Sequence, residues 1–296
     1  MAPLKIVLLM VDGFGVPPEG WENSMYARFG GQTFAEMLAR FSTPLDACLG
    51  VDGLPQSATG QTTLFTGINA AAAMNTHLQG FPGPSLRKII RTQNLFSSLV
   101  SLGKKVSFAN AYVKYGLEEL ARMRLRSVTT VMVQNALGEV LRGAELLASK
   151  AVYHDLTRAS IADEYGIPRI TPSEAARDLI NIADLNDLTL FEYFLTDKAG
   201  HSRDEDLLSS VIGDFSEFLQ GLACQLRDNM LLIFTSDHGN CEDLSSRGHT
   251  RNPVPFFLFG TQRPALALES IADVEPEICS LLQNSSENQR GNAVFS

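Results

Sequence analysis

The chain has 296 residues, 45% hydrophobic and 19% charged, with a net charge of −9. That length and apolar content support a sizeable core and suit a single domain over 1–296, while an acidic chain with no basic stripe excludes nucleic acid as its main partner. None of its four cysteines forms a CxxC pair, which fits reduced thiols and not a disulfide frame.

In chain order, the apolar run KIVLLMV (5–11) reads as a strand. It is one strand long and ends in an acid with no small-residue cleavage site, unlike a secretion signal. No run reaches the roughly 18 residues that span a bilayer, so a cytoplasmic protein without a membrane partner is expected. Helices are expected over 33–41, 57–66 and 94–102, then a strand at KVSFANA (105–111). A helix over 173–183 precedes the strand LTLFEYFL (188–195), and a long helix over 204–226 precedes MLLIFT (230–235). The strand VPFFLFG (254–260) and a helix over 271–282 follow, before a polar tail expected to fray. Three of these strands are almost wholly apolar, as strands buried on both faces are. The alternation predicts an α/β three-layer sandwich, a mostly parallel central sheet with helices on both faces. Residues 112–170 fit this pattern least, and read either as a small cap or insertion over the active face or as a further helical layer.

Three apolar runs end in aspartate. KIVLLMVDG ends in Asp12; LTLFEYFLTDKAGH carries Asp197 with His201 four residues on; MLLIFTSDHGN ends in Asp237 and His238. A lone aspartate after a strand is ordinarily a turn or cap residue. Three such ends, holding three of five histidines once His249 is added, point elsewhere. In open α/β sheets ligands collect beyond the carboxyl ends of the strands, and carboxylates converging there repel unless cations neutralise them. A carboxylate and imidazole set without thiolate suits Zn²⁺ or Mn²⁺. It offers more ligands than one tetrahedral ion uses, so two ions roughly 3.5–4 Å apart are expected. VDGFG is not a dinucleotide loop, because prolines follow where the helix would start.

GLPQSATGQTTLFTG places Ser57 at the start of a helix, whose N-terminal end favours a phosphate. A serine activated by a metal is a competent nucleophile. Helix capping is the plainer role for Ser57, and the hydroxyls of Thr59, Thr62 and Thr63 compete with it.

These segments resemble the alkaline phosphatase superfamily. VDGFG is similar to its first metal strand, DKAGH to its Asp-x-x-Gly-His motif, and SDHGN with GHTRNPVPF to its Asp-His-Gly-Asn and His-Thr-x-Asn-x-Val-Pro-Phe segments. SATGQTTLFTG is similar to the nucleophile segment. Within the superfamily the likeness is greatest to cofactor-independent phosphoglycerate mutase and phosphopentomutase, over residues 12–257. The resemblance implies one divalent ion held by Asp12, Asp237, His238 and the Ser57 oxygen, a second held by Asp197, His201 and His249, and Ser57 as the catalytic nucleophile. About 140 residues separate Ser57 from Asp197, room for a small cap but not for the mutases' large domain. Their substrate-gripping arginines have no matching positions. The sulfatase nucleophile motif is broken, with Thr59 and Gln61 where its proline and arginine would stand.

The expected function is therefore a phosphoester hydrolase acting through a phosphoserine on a small phosphorylated metabolite. A phosphomutase, a phosphodiesterase or nucleotide pyrophosphatase, and a non-catalytic metal-binding module are the alternatives. Thr59, His154 and Arg158 are the candidates for substrate contact, with the Arg122, Arg124 and Arg126 cluster as a further source of positive charge.

Overall fold

The computed structural model describes residues 2–115, 119, 122–246 and 248–293. Its central strand, β1 (Lys5–Val11), buries alternate side chains in two separate cores: Val7, Leu9 and Val11 on one face, Ile6, Leu8 and Met10 on the other. A strand that must satisfy two apolar layers has no polar positions to spare, which is why the run is uninterrupted.

The main sheet has six strands in the order β2 (Ser42–Leu45), β8 (Val254–Phe259), β7 (Met230–Thr235), β1, β6 (Leu188–Tyr193), β3 (Val106–Phe108). β3, β6, β1 and β7 run parallel; β8 is antiparallel to β7 and β2 antiparallel to β8. Helices Gln32–Phe41, Pro172–Ala183 and Glu205–Gln225 cover one face, placing Phe34, Leu179 and Phe215 in its core. Helices Ser57–Thr66, Leu95–Ser101, Val128–Ala136 and Val274–Ala293 cover the other, with Phe65, Phe96, Met132 and Ile278. The sandwich expected from the alternation of runs is the fold observed.

The stretch 112–170 divides in two. Its Val128–Ala136 helix is part of the main core, with Val128 and Met132 fully buried. Beyond it, β4 (Ala111–Tyr112) pairs with β5 (Leu141–Arg142), and Leu146, Tyr153, Ile161 and Ile167 form a satellite cluster. Residues 116–118, 120 and 121 of this stretch and 294–296 of the tail lie outside the described residues. The tail expected to fray instead continues as helix to Ala293, after a first half anchored by Val274, Ile278 and Leu282. Among the described residues no helix is long and apolar enough to cross a membrane.

Candidate active site

Because β6, β1 and β7 are parallel neighbours in register, with Val11 beside Tyr193 and Met10 beside Thr235, their carboxyl ends open on one edge of the sheet. Asp12 follows β1 directly, Asp237 lies two residues beyond β7, and Asp197 sits in the first turn of the Leu195–Ser202 helix after β6. The turn after Asp12 needs glycine: Gly13 has φ +68°, and a Cβ there would lie 2.8 Å from the Asp197 side chain. Gly60 does the same for the Ser57–Thr66 helix, where a Cβ would meet the Asp237 carbonyl at 2.6 Å. That close approach brings Ser57 to the strand ends.

The expected ligands fall into two groups, Asp12, Asp237 and His238 in one and Asp197, His201 and His249 in the other, with the candidate donor atoms of each group within 4.8 Å of one another. In the first, His238 Nε2 lies 2.9 Å from Ser57 Oγ, 3.3 Å from Asp12 Oδ1 and 3.6 Å from Asp237 Oδ2. In the second, His201 Nε2 lies 3.1 Å from His249 Nε2 and 3.5 Å from Asp197 Oδ2, and His249 Nε2 is 3.5 Å from Asp197 Oδ1. The groups adjoin, with the His238 and His249 rings stacked at 3.6 Å.

The residues present fit a divalent cation in each group. A tetrahedral zinc with ligand atoms at about 2.0–2.1 Å sets those atoms about 3.3–3.4 Å apart, close to the spacings found. One oxygen of each carboxylate is tied down: Gln61 Nε2 donates to Asp12 Oδ2 at 3.0 Å, Gly13 N to Asp237 Oδ1 at 3.4 Å and Asn240 Nδ2 to Asp197 Oδ1 at 2.6 Å. The oxygens that face His238, Asp12 Oδ1 and Asp237 Oδ2, are buried and have no hydrogen bond. Buried acceptors left this way ordinarily cost stability, so they call for a partner. His249 Nδ1 meets the Pro55 carbonyl at 2.7 Å, which aims Nε2 inward.

The protonation equilibria reflect the same shortage of positive charge. Burial, then the charge of Asp237, raises the Asp12 carboxyl well above the usual range, and burial raises Asp237. Burial opposes charging of His238, yet Asp237 and Asp12 overcome it and push the imidazole up to about 10. Burial and the neighbouring His238 take His249 down to about 4.

The other hydroxyls of the Ser57 helix face the protein. Thr62, Thr63 and Thr66 donate to the Ala58, Thr59 and Thr62 carbonyls, and all three are fully buried. Thr59, expected at the substrate, is also fully buried: it donates to the Gln56 carbonyl and accepts from Leu78 N. Arg158, a second expected substrate contact, is 5% exposed and pairs with Asp178 at 3.3 Å, tying its loop to the Pro172–Ala183 helix. Neither lines the cavity beside the two groups; Ser57, His154 and Arg126 do.

Two further acids belong to the site. Glu192 lines the same cavity, accepts from Thr129 Oγ1 at 2.6 Å, and is raised by burial to about 7. Glu242, 3% exposed, accepts from Gly15 N at 3.1 Å, Asn240 N at 2.8 Å, Asn252 Nδ2 at 3.0 Å and Thr250 Oγ1. It joins the loop after β1 to both halves of the segment carrying His238 and His249. Glu242→Gln removes one acceptor oxygen from this hub, and is expected to weaken metal binding about tenfold or more without changing secondary structure. Competition with a chelator measures it; unchanged affinity would remove Glu242 from the site's support.

Comparison with known proteins agrees with this geometry. A family model described as the Metalloenzyme superfamily matches residues 4–286. The 2,3-bisphosphoglycerate-independent phosphoglycerate mutase of Myxococcus xanthus (strain DK1622) is 30% identical over 144 residues, 42% of this chain and 27% of that protein. The phosphopentomutase of Alkaliphilus oremlandii (strain OhILAs) is 29% identical over 94 residues, 30% of this chain and 24% of that protein. The matches thus span about a quarter of each relative's length. The alkaline phosphatase of the Antarctic bacterium TAB5 shares the fold, with a TM-score of 0.54 at 14% identity over 96% of this chain and 99% of that one. A cold-active alkaline phosphatase from Shewanella sp. does so with a TM-score of 0.58 at 13% identity, over 94% of this chain and all of that one (100%). Since the family model matches residues 4–286, which carry both groups of donor atoms, the chain belongs to the Metalloenzyme superfamily, and it shares the alkaline phosphatase fold.

Proposed function

We propose that this chain is a two-metal phosphoryl-transfer enzyme that hydrolyses phosphoesters through a phosphoserine at Ser57. The observation that carries the reading is the meeting of Ser57 Oγ with His238 Nε2 at 2.9 Å, beside two buried carboxylate oxygens, Asp12 Oδ1 and Asp237 Oδ2, that face the same nitrogen. Asp12, Asp237, His238 and the Ser57 oxygen hold one divalent ion, zinc or manganese, and Asp197, His201 and His249 hold the other. When bound, such ions favour the ionised hydroxyl or water and neutralise charge developing on phosphoryl oxygens.

Ser57 Oγ gives up its proton to solvent and forms its bond to phosphorus from the N-terminal turn of its helix, where the peptide dipoles favour an anion. The ester P–O bond breaks opposite, and the departing alcohol takes a proton from solvent. Water then cleaves the phosphoserine, restoring the hydroxyl and releasing phosphate. Tyr112, Arg126 and His154, which flank the main-core helix Val128–Ala136 in the chain, line the cavity beside Ser57 and act as a small cap.

Incubation with an aryl phosphate plus zinc or manganese is the test. Release of inorganic phosphate in amounts exceeding the enzyme is the expected result; no release with both ions bound would end the hydrolase reading. The mutase names of the aligned relatives favour a second reading, in which the phosphate returns to the substrate at another position. Conversion to an isomer without free phosphate would establish it.

A further inference from the structure

Beside the two groups of donors opens a cavity of about 670 Å³ that has Asp12, Ser57 and Asp197 in its lining. Cavities of about 300–1,000 Å³ hold drug-sized ligands, and a phosphate on a three- or five-carbon chain fills only part of this one. Its walls are also the wrong chemistry for a polyhydroxylated chain. Phe81, Phe108, Tyr112, Tyr115, Leu125 and Phe194 line it. Four of these leave much of their surface in solvent: Phe81 50%, Tyr115 45%, Leu125 59% and Phe194 37%.

Large apolar side chains exposed singly are ordinary, but several gathered at one opening mark a site that something apolar covers. These come from separate parts of the chain, so local sequence does not explain the gathering. His154 extends the wall, its ring 4.6 Å from that of Phe194 and 4.3 Å from that of Tyr153. Burial takes its imidazole down to about 4, so at neutral pH it presents an uncharged ring. Lys114, Arg126 and Lys198 also line the cavity, and suit an anionic substrate.

We infer that the cavity receives the aromatic portion of a bulky phosphomonoester, its ring between the walls formed by Phe81, Tyr112, Tyr115 and Phe194 while the phosphoryl group lies at Ser57. The anchoring of the phosphoryl end rests on the phosphoryl-transfer reading above; the ring preference rests on the walls alone. Ring-on-ring contact adds to area burial in offset or edge-to-face geometries, so an aromatic group is favoured over a saturated one of equal size. Among the small phosphorylated metabolites expected from sequence, this favours a larger, ring-bearing ester.

Phosphonates, which resist hydrolysis, separate binding from chemistry. Titration calorimetry on the zinc-loaded full chain compares 2-phenylethylphosphonate, 2-cyclohexylethylphosphonate and ethylphosphonate. The phenyl compound is expected to bind about tenfold or more tighter than the ethyl compound, and tighter than the cyclohexyl one. In the Phe81→Ala/Tyr115→Ala double variant the phenyl-to-ethyl ratio is expected to fall to about threefold or less. Both side chains are half-exposed, so the fold does not depend on them. Equal binding of phenyl and ethyl compounds, equal binding of phenyl and cyclohexyl compounds, or a ratio unmoved in the double variant would each overturn the inference. The two readings fail separately. Phosphate release from esters without a phenyl margin removes the aromatic site alone. A phenyl margin that the double variant erases, with no phosphate released from any ester, removes the reaction and leaves the site.

Discussion

Ser57→Ala is expected to abolish the phosphoenzyme and to lower phosphoester turnover about 10³-fold or more. No neighbouring hydroxyl can stand in. Thr59, Thr62, Thr63 and Thr66 are fully buried and committed to backbone carbonyls of their own helix. Moving any of them to phosphorus would require unwinding a helix held by Leu64 and Phe65 in the core. Ser57 itself is only half-buried and packs nothing essential, so the variant is expected to melt within about 1 kcal/mol of the parent. Rapid quench with a labelled substrate, followed by peptide mapping, gives the result. A phosphopeptide at Thr62, or unchanged turnover in the variant, would overturn the assignment.

Metal loading is expected to be the largest effect on stability. A ligand present at a thousandfold excess over its Kd stabilises by about 4 kcal/mol per site, which for a chain of this size is about 8 °C in melting temperature. Two ions are expected per chain, and one in His249→Ala, because His249 belongs to the second group only. Elemental analysis of the dialysed variant decides this; two retained ions would exclude His249 as a ligand. Binding also has a pH signature. His238 is raised to about 10 before metal binds, so near pH 7 it carries a proton that the ion must displace. Apparent affinity at the first group is therefore expected to rise with pH, up to about tenfold per unit between pH 6 and 8. Calorimetry in buffers of different ionisation enthalpy measures the proton released; release of none would remove His238 from the ligand set.

What could be read in advance follows from where the information lies in the chain. β1, β6 and β7 were legible because burial on both faces forces a mostly apolar run, and a parallel sheet then delivers Asp12, Asp197 and Asp237 to one edge. β2 was not legible: Ser42–Leu45 is a short edge strand containing a proline, with two exposed residues. The Val128–Ala136 helix was hidden because valine and threonine, which favour strands, make up most of it. Thr59 looked like a site residue for its nearness to Ser57, but two helical positions turn a side chain about 200° away. Arg158 suggested substrate charge, yet Asp178 takes its guanidinium. Glu242 had no signal at all: in the run NCED it is one acid beside another, and its importance appears only when Gly15, 227 residues away, is folded against it. The aromatic walls were invisible for the same reason.

The strand order carries a consequence for synthesis in the cell. β1 is made first, but its sheet partners are β6, beginning at Leu188, and β7, beginning at Met230. At 5–20 residues per second a ribosome needs roughly 10–40 s to reach β6. For that interval the run KIVLLMV has left the exit tunnel with neither neighbour available, a segment whose unpaired edges invite association with other chains. Nascent protein is therefore expected to gain from chaperone cover early in translation, and codon changes that slow elongation between residues 12 and 188 are expected to lower soluble yield without altering the folded product.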